Sequence, residues 1–393
     1  MISVTEASIL IQQNIAATTT ETLPLAKCLH RILAKDVSSN VNMPAFNQSG
    51  MDGYAFRFQD YTPEYSLEIV STVAAGDKSA ISMLPGQAVR IFTGAPIPSF
   101  ADTVVMQEKT TVLDNLLFIT DKKLQMGSNA RPAGSEIKQG QKTLSAGTSL
   151  SPAAIGMLAA IGETDVTVYK KPEVAVIITG NELQIPGLPL QGANVYESNS
   201  YMLIAALEQM GIKDIELLYA TDDLEELTMR LKEALEIADV VLLTGGVSVG
   251  DYDFVVAATE QCSVEKIFHK IKQKPGKPLF FGKKNKQLVF GLPGNPSSVL
   301  TCFYEYVTPA LQQLQGHLNP GLIKAFLPMA SSFSKNEGLT HFLKANYNGQ
   351  KVTLLSGQES YRLNSFAAAN CIACIPENTT ILEEGALVEV HFL

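Results

Sequence analysis

"LLTGGVSVGDYDF", residues 242–254, decides the fold. An apolar run ends on Gly245-Gly246, and two acids, Asp251 and Asp253, follow a short loop. Glycines after a strand let the backbone approach a ligand closely, and their N–H groups can line an anion site. The acids repel phosphate, unless Mg²⁺ bridges carboxylate and phosphate or an N–H-rich ring meets them. A plain β–α turn with Asp251 as helix cap reads the same residues without a ligand.

Outward from this loop the pattern alternates. Upstream lie the strand "EVAVIIT", a helix over about 199–210, the strand "DIELLYA" and a helix capped by Thr221 or Asp222. That helix carries Leu224, Leu227, Leu231 and Leu235 at helical spacing. Downstream come a helix near 252–261, the strands "KPLFFG" and "QLVFGL", and a helix from Pro296 to about 314. Short apolar strands between helices predict a mostly parallel sheet covered on both faces, in a three-layer α/β domain over 173–316. Ligands of such sheets bind outside the carboxyl ends of the strands. "TGNEL", "TGGVSVGDYDF" and "GLPGNPSS" all fall there.

The flanks have another texture. Residues 37–133 hold short β-type runs broken by Gly, Pro, Asn and Asp, and read as an inserted β-rich domain. Residues 317–393 read as a C-terminal β domain. The remaining pieces, 1–36 and 134–172, read as one discontinuous helical and linker domain, to which the family resemblance given below assigns dimerisation. Its signals are a capping box at Ser3 and Glu6, and Ser151-Pro152 opening a helix.

The chain has 393 residues, with 46% hydrophobic and 18% charged side chains, enough for several packed cores. A net charge of −9 argues against nucleic acid as a partner, since phosphate contacts need a basic face. Apolar runs are too short for a membrane span. Five cysteines and no basic leader suggest reduced thiols and a cytoplasmic protein. Cys371 and Cys374 form a lone C-x-x-C without the second pair that zinc needs, and read as structural.

Two further stretches carry chemistry. "GLPGNPSS", 291–298, contains Gly294 and Asn295 and leads into a helix whose first N–H groups suit an oxyanion, with Ser297 and Ser298 as donors. The alternative is a turn with Asn295 as the cap. "KIKQKPGKP", 270–278, clusters Lys270, Lys272, Lys274 and Lys277 in an acidic chain. It is a lysine-lined anion pocket or a solvated face. In "FNQSGMDGYAFR", 46–57, Asp52-Gly53 reads only as a turn. No P-loop, hydrolase elbow or H-E-x-x-H is present.

In order along the chain, "FNQSGMDGYA", "RIFTGAP", "VVMQE", "ITGNEL", "TGGVSVGDYDF", "KPGKP" and "GLPGNP" resemble the MoeA family of molybdopterin molybdotransferases, related to the C-terminal domain of gephyrin. The resemblance spans essentially the whole chain. It implies an elongated homodimer of four-domain subunits whose α/β domain is similar to molybdopterin adenylyltransferase. It implies a transferase of molybdenum cofactor biosynthesis that inserts molybdate into adenylylated molybdopterin and releases AMP, with Mg²⁺ as helper. A tungstate-using paralogue and a weakly catalytic scaffold are the alternatives. Molybdopterin adenylyltransferase and molybdoenzyme maturation proteins are the implied partners.

Carried over by motif, Lys274 and Lys277 bind molybdate, assisted by Ser298 and Lys344. Gly245, Gly246, Ser248, Gly250, Gly294 and Asn295 cradle the cofactor intermediate. Asp222, Asp251 and Asp253 serve nucleotide, pterin or metal, with Asp251 and Asp253 as the Mg²⁺ ligands. Glu182 faces the ligand, and Asp52 and Thr93 reach in from the partner subunit. The chain departs from the family at Asn181, where Asp is usual, and at Lys344, where Arg is expected. "ARPAGSE" keeps only Arg131 of an arginine-rich segment, with Glu136 in place of Asp.

Overall fold

A computed structural model describes residues 1–77, 81–246 and 254–393 of the protein. The chain divides into two compact units: Met1–Glu21 with Tyr169–Leu393, and Thr22–Val168.

The first unit is built on a six-stranded sheet in the order Ile215–Ala220, Val174–Thr179, Val240–Thr244, Gln287–Leu292, Phe280–Lys284, Glu265–His269. The first four strands are parallel, and Phe280–Lys284 runs antiparallel to both its neighbours, so Glu265–His269 points the same way as the first four. "KPLFFG" and "QLVFGL" are therefore a hairpin, turned at Asn285 with φ 54°. Every residue of Val174–Thr179 and Val240–Thr244 is buried, as strands covered on both faces require. Alternate side chains feed two cores. Val174, Val176, Ile178, Leu242 and Phe290 pack beneath Leu203, Leu207 and Phe303. Ala175, Ile177, Val241 and Leu243 pack against Leu227, Leu231 and Val255 on the opposite face. Each buried Val, Leu, Ile or Phe among them contributes about 1.5–3 kcal/mol by leaving water.

The amino-terminal helix Val4–Gln13 starts as expected, with Ser3 Oγ accepting from the Glu6 N–H at 3.1 Å. Its assignment to a domain shared with 134–172 is corrected. Ala7 and Ile11 lie inside the α/β core, beside Ala310 and Leu311. The final helix is interrupted. Pro296–Cys302 and Thr308–Leu314 flank a π turn, Phe303–Val307, in which the Thr308 N–H reaches Phe303 O. Pro309 has no N–H for the carbonyl of Glu305, so the regular ladder cannot continue there.

The carboxyl-terminal sheet runs Gln273–Lys274, Thr340–Tyr347, Cys371–Ile375, Leu387–Phe392, Lys324–Pro328. Its first strand comes from the lysine stretch, pairing Gln273 with Thr340 and Lys274 with His341. A boundary at 316 thus misses one strand of the last domain. Cys371 and Cys374 sit three apart on one strand, so their side chains face opposite sides and join different cores. They cannot chelate one ion together, and burial pushes the thiols up to about 11 and about 12.

In the second unit, Thr103–Met106, Gly53–Phe56, Gln87–Ile91, Leu67–Val73, Leu116–Ile119 and Thr110–Leu113 form one sheet, in that order. Gly53 is more than a turn residue. A Cβ there would lie 1.8 Å from Val105 O, so only glycine lets these strands approach. A separate core joins Leu33, Leu150 and Leu158, the last on the helix Pro152–Ala160, which Ser151 caps as expected.

Candidate functional site

A cleft of about 990 Å³ opens at the carboxyl ends of the parallel strands in the first unit. Of the residues singled out from sequence, it brings together Glu182, Asp222, Gly245, Gly246, Lys274, Lys277, Gly294, Asn295 and Ser298. Ser248, Gly250, Asp251 and Asp253 lie outside the described residues.

The acidic wall comes first. Asp222 Oδ1 accepts from Thr179 Oγ1 at 2.9 Å, and its Oδ2 accepts from the Asn181 N–H at 3.2 Å. Asn181 Oδ1 accepts from the Asp222 N–H at 3.2 Å, so the two residues clasp each other. Neither Asp222 nor Thr221 caps the following helix. Asp223 does, accepting from the Glu226 N–H at 2.9 Å, which leaves Asp222 turned toward the cleft. Glu182 is exposed at the cleft's edge.

The glycine turn follows. Gly245 has φ 92°, and a Cβ would lie 2.1 Å from Thr179 O, so neither the conformation nor the space admits a side chain. Asn199 links this turn to the next loop. Its Nδ2 donates to Thr244 Oγ1 at 2.8 Å and to Gly294 O at 2.9 Å. Buried Glu197 accepts from the Ser200 N–H at 2.8 Å and also lines the cleft. Neither residue was anticipated. The available signal was the polar run "ESNS" at the start of a helix.

The lysine loop forms the basic wall. Lys274 and Lys277 are exposed, and neither ion-pairs with a carboxylate among the described residues. Beneath them Gln273, 1% exposed, donates to Pro275 O at 3.0 Å and Gly276 O at 3.2 Å.

The helix start at Pro296 departs from expectation. The Ser297 N–H donates to Ser360 O at 3.1 Å and the Ser298 N–H to Asn295 O at 2.9 Å. Those two N–H groups are occupied rather than offered to an oxyanion. Nor does Asn295 cap with its side chain, since its Nδ2 donates to Ser360 Oγ at 2.9 Å. Gln358, Ser360 and Tyr361 of the C-terminal domain complete the cleft, a contribution that local sequence did not disclose.

Lys344 requires correction. It is 3% exposed and does not line the cleft. Its ammonium donates to Gly357 O at 2.8 Å, Arg362 O at 3.1 Å and Glu359 O at 3.4 Å. Burial, more than the neighbouring charges, lowers its pKa. The residue holds the loop that carries Gln358, Ser360 and Tyr361, instead of meeting an anion. A buried ammonium must find partners, and here backbone carbonyls supply them.

Asp52 and Thr93 belong to the second unit, where they pair across 41 residues of sequence. Asp52 Oδ1 accepts from the Thr93 N–H and the Thr93 hydroxyl, both at 2.7 Å. These bonds, with the Arg90 charge, lower the Asp52 pKa and keep it a carboxylate.

Fold and site together define an α/β protein whose cleft sets carboxylates opposite lysines around backbone loops, suited to an anionic small molecule that also bears N–H groups. Comparisons with known proteins narrow that class. Residues 2–162 match the model for the MoeA N-terminal region (domain I and II), 175–313 that for a probable molybdopterin binding domain, and 327–393 that for the MoeA C-terminal region (domain IV). The chain is 34% identical to the molybdopterin molybdenumtransferase of Bacillus subtilis, over 94% of this chain and 89% of that one. It is 33% identical to that of Haemophilus influenzae, over 97% and 96%. A crystal structure of the molybdopterin biosynthesis moeA protein of Pyrococcus horikoshii superimposes with a TM-score of 0.87 at 28% identity, covering 100% of both chains. The chain belongs to the MoeA family of molybdopterin molybdenumtransferases.

Proposed function

We propose that this protein inserts molybdate into adenylylated molybdopterin and releases AMP, forming molybdenum cofactor. The observation that carries the reading is the convergence of Lys274 and Lys277 on the cleft that holds Asp222 and the Gly245-Gly246 turn. The names of the relatives support it. The lysines attract and orient the tetrahedral dianion. Backbone at Gly245, Gly246 and Gly294 lets the pterin–phosphate part approach closely, and Asp222 and Glu182 accept from ring or ribose donors. No covalent nucleophile is required. Orientation and a preset electrostatic environment lower the barrier to cleaving the phosphoanhydride.

Mg²⁺ belongs to this proposal through Asp251, Asp253 and substrate phosphate oxygens, and would supply charge neutralisation when bound. Among the described residues no group of three or more His, Cys, Asp or Glu side chains could hold a metal ion. Mg²⁺ needs only one or two carboxylates beside phosphate and water, its ligands here fall to Asp251 and Asp253 outside the described residues, and no step is routed through the ion.

A homodimer in which Asp52 and Thr93 of one subunit reach the other's cleft completes the reading, and a cytoplasmic location accords with it. No helix among the described residues is long and apolar enough to cross a membrane.

The test is to incubate the protein with adenylylated molybdopterin and Mg²⁺, with and without molybdate, and follow AMP. Molybdate-dependent release is expected, with metal appearing on the pterin. Tight binding without release under both conditions would replace the transferase with a scaffold.

A further inference from the structure

The lysine loop rests on a buried polar pair that no sequence motif announces. Gln273 and Tyr306 are each 1% exposed. The Tyr306 hydroxyl donates to Gln273 Oε1, and Gln273 Nε2 donates to Pro275 O at 3.0 Å and Gly276 O at 3.2 Å. The amide's orientation follows from chemistry. Backbone carbonyls only accept, so Nε2 must face the loop, and Oε1 then needs the donor that Tyr306 provides. Burial raises the tyrosine's pKa well above its ordinary value, so the hydroxyl keeps its proton.

The loop lies directly on this pair. Gly276 has φ 86°, and a Cβ there would sit 2.5 Å from Cys302 Sγ and 2.8 Å from Gln273 Nε2. The Ile271 N–H donates to Lys277 O at 2.9 Å, which ties the loop back on itself. Gln273 and Lys274 are also paired with Thr340 and His341 of the C-terminal sheet. Tyr306 itself lies in the π turn Phe303–Val307 just before Pro309, an irregularity of a kind that recurs at functional sites.

We infer that Tyr306 and Gln273 are positioning residues that set the Lys274–Lys277 loop for a tetrahedral oxyanion, acting through the carbonyls of Pro275 and Gly276. The inference rests on the function proposed above and assigns the oxyanion's share of affinity to a buried pair that never touches it. Without Gln273 the two carbonyls lose their donor. The loop then turns to find water, and the two ammonium groups separate.

The test compares Tyr306→Phe and Gln273→Leu with the unaltered protein by titration calorimetry, using sodium molybdate and, separately, AMP. Tyr306→Phe should weaken molybdate binding about tenfold and Gln273→Leu about a hundredfold, with AMP affinity unchanged. Tyr306→Phe removes one oxygen and carries the test if Gln273→Leu does not fold. Molybdate affinity within about twofold of the unaltered protein in the folded variants overturns the inference. So does equal loss of both ligands alongside a lower melting temperature, the mark of an ordinary core pair. Lys274→Ala separates the two claims. If it binds molybdate normally, the oxyanion site itself is wrong and the positioning role falls with it.

Discussion

Lys274 and Lys344 are the same residue type, both read from sequence as anion ligands, and the fold gives them opposite work. Lys274 is exposed on a two-residue edge strand, unpaired with any described carboxylate, at the lip of the cleft. Lys344 stands in the middle of Thr340–Tyr347, between neighbouring strands, with its ammonium on three backbone carbonyls. A lysine in a sheet interior must use its charge locally, because an unpaired buried ammonium costs several kcal/mol. A lysine on an edge beside a turn keeps its charge for a ligand. The difference is one of burial, which residue identity alone does not reveal.

The largest effect should come from removing the buried charge. Lys344→Met is expected to cost about 3 kcal/mol in urea unfolding, because three carbonyls lose their donor. A loss below about 0.5 kcal/mol would mean that the ammonium is not structural and would erase the contrast.

Lys274→Ala should behave in the reverse manner. Stability should stay within about 0.5 kcal/mol. Molybdate-dependent turnover should fall about a hundredfold, the usual size for one charge aimed at a transition state. A stability loss as large as that of Lys344→Met would place Lys274 in the structural class too.

A second buried cluster sharpens the rule. His391 sits 2.7 Å from Glu305 Oε1 and 2.9 Å from Glu389 Oε1. Burial alone would strip its proton, but the bond to Glu305, that carboxylate's charge and the bond to Glu389 outweigh it and raise the pKa. A raised folded value stabilises fully below the unfolded value of about 6.5 and is lost as pH climbs through the folded one. The melting penalty of His391→Gln should therefore be greatest near pH 6 and shrink toward pH 9. A penalty that grows with pH would contradict the assignment.

The smallest effect is expected at Asn295. Replacing it with Ala removes one hydrogen bond to Ser360, worth about 1 kcal/mol. The change should loosen residues 358–361, readable as faster backbone hydrogen exchange there, with little change at Lys274.

The strands Val174–Thr179 and Val240–Thr244 were legible because they are unbroken apolar runs followed by glycine, whereas the half-polar edge strand Glu265–His269 was not anticipated. For the same reason Gly245 and Gly294 could be expected near one cleft, since carboxyl-end loops of parallel strands converge, whereas Lys274 was assigned a ligand only by the family resemblance. Neighbouring polar residues were harder to separate. Asp222 and Asp223 are equivalent in composition, and only backbone geometry decides which caps and which faces the ligand. The N–H groups of Ser297 and Ser298 looked available because helix starts leave donors open. Ser360 takes the first from 63 positions away in the chain, a contact without local trace. The amino-terminal helix was misplaced because its amphipathic stripe says that it packs, and not against what. Gln358, Ser360 and Tyr361 were missed because Lys344, read as a ligand, is what holds their loop.

Equilibrium dialysis of molybdate against the unaltered protein, Lys274→Ala and Lys344→Arg, each with its melting temperature, tests the central contrast most directly. The account predicts that Lys274→Ala loses molybdate and keeps its melting temperature. Lys344→Arg, whose larger fork does not fit three converging carbonyls, should melt earlier without tighter molybdate binding. Tighter binding by Lys344→Arg, with retention by Lys274→Ala, would contradict it and move the anion site to the C-terminal sheet.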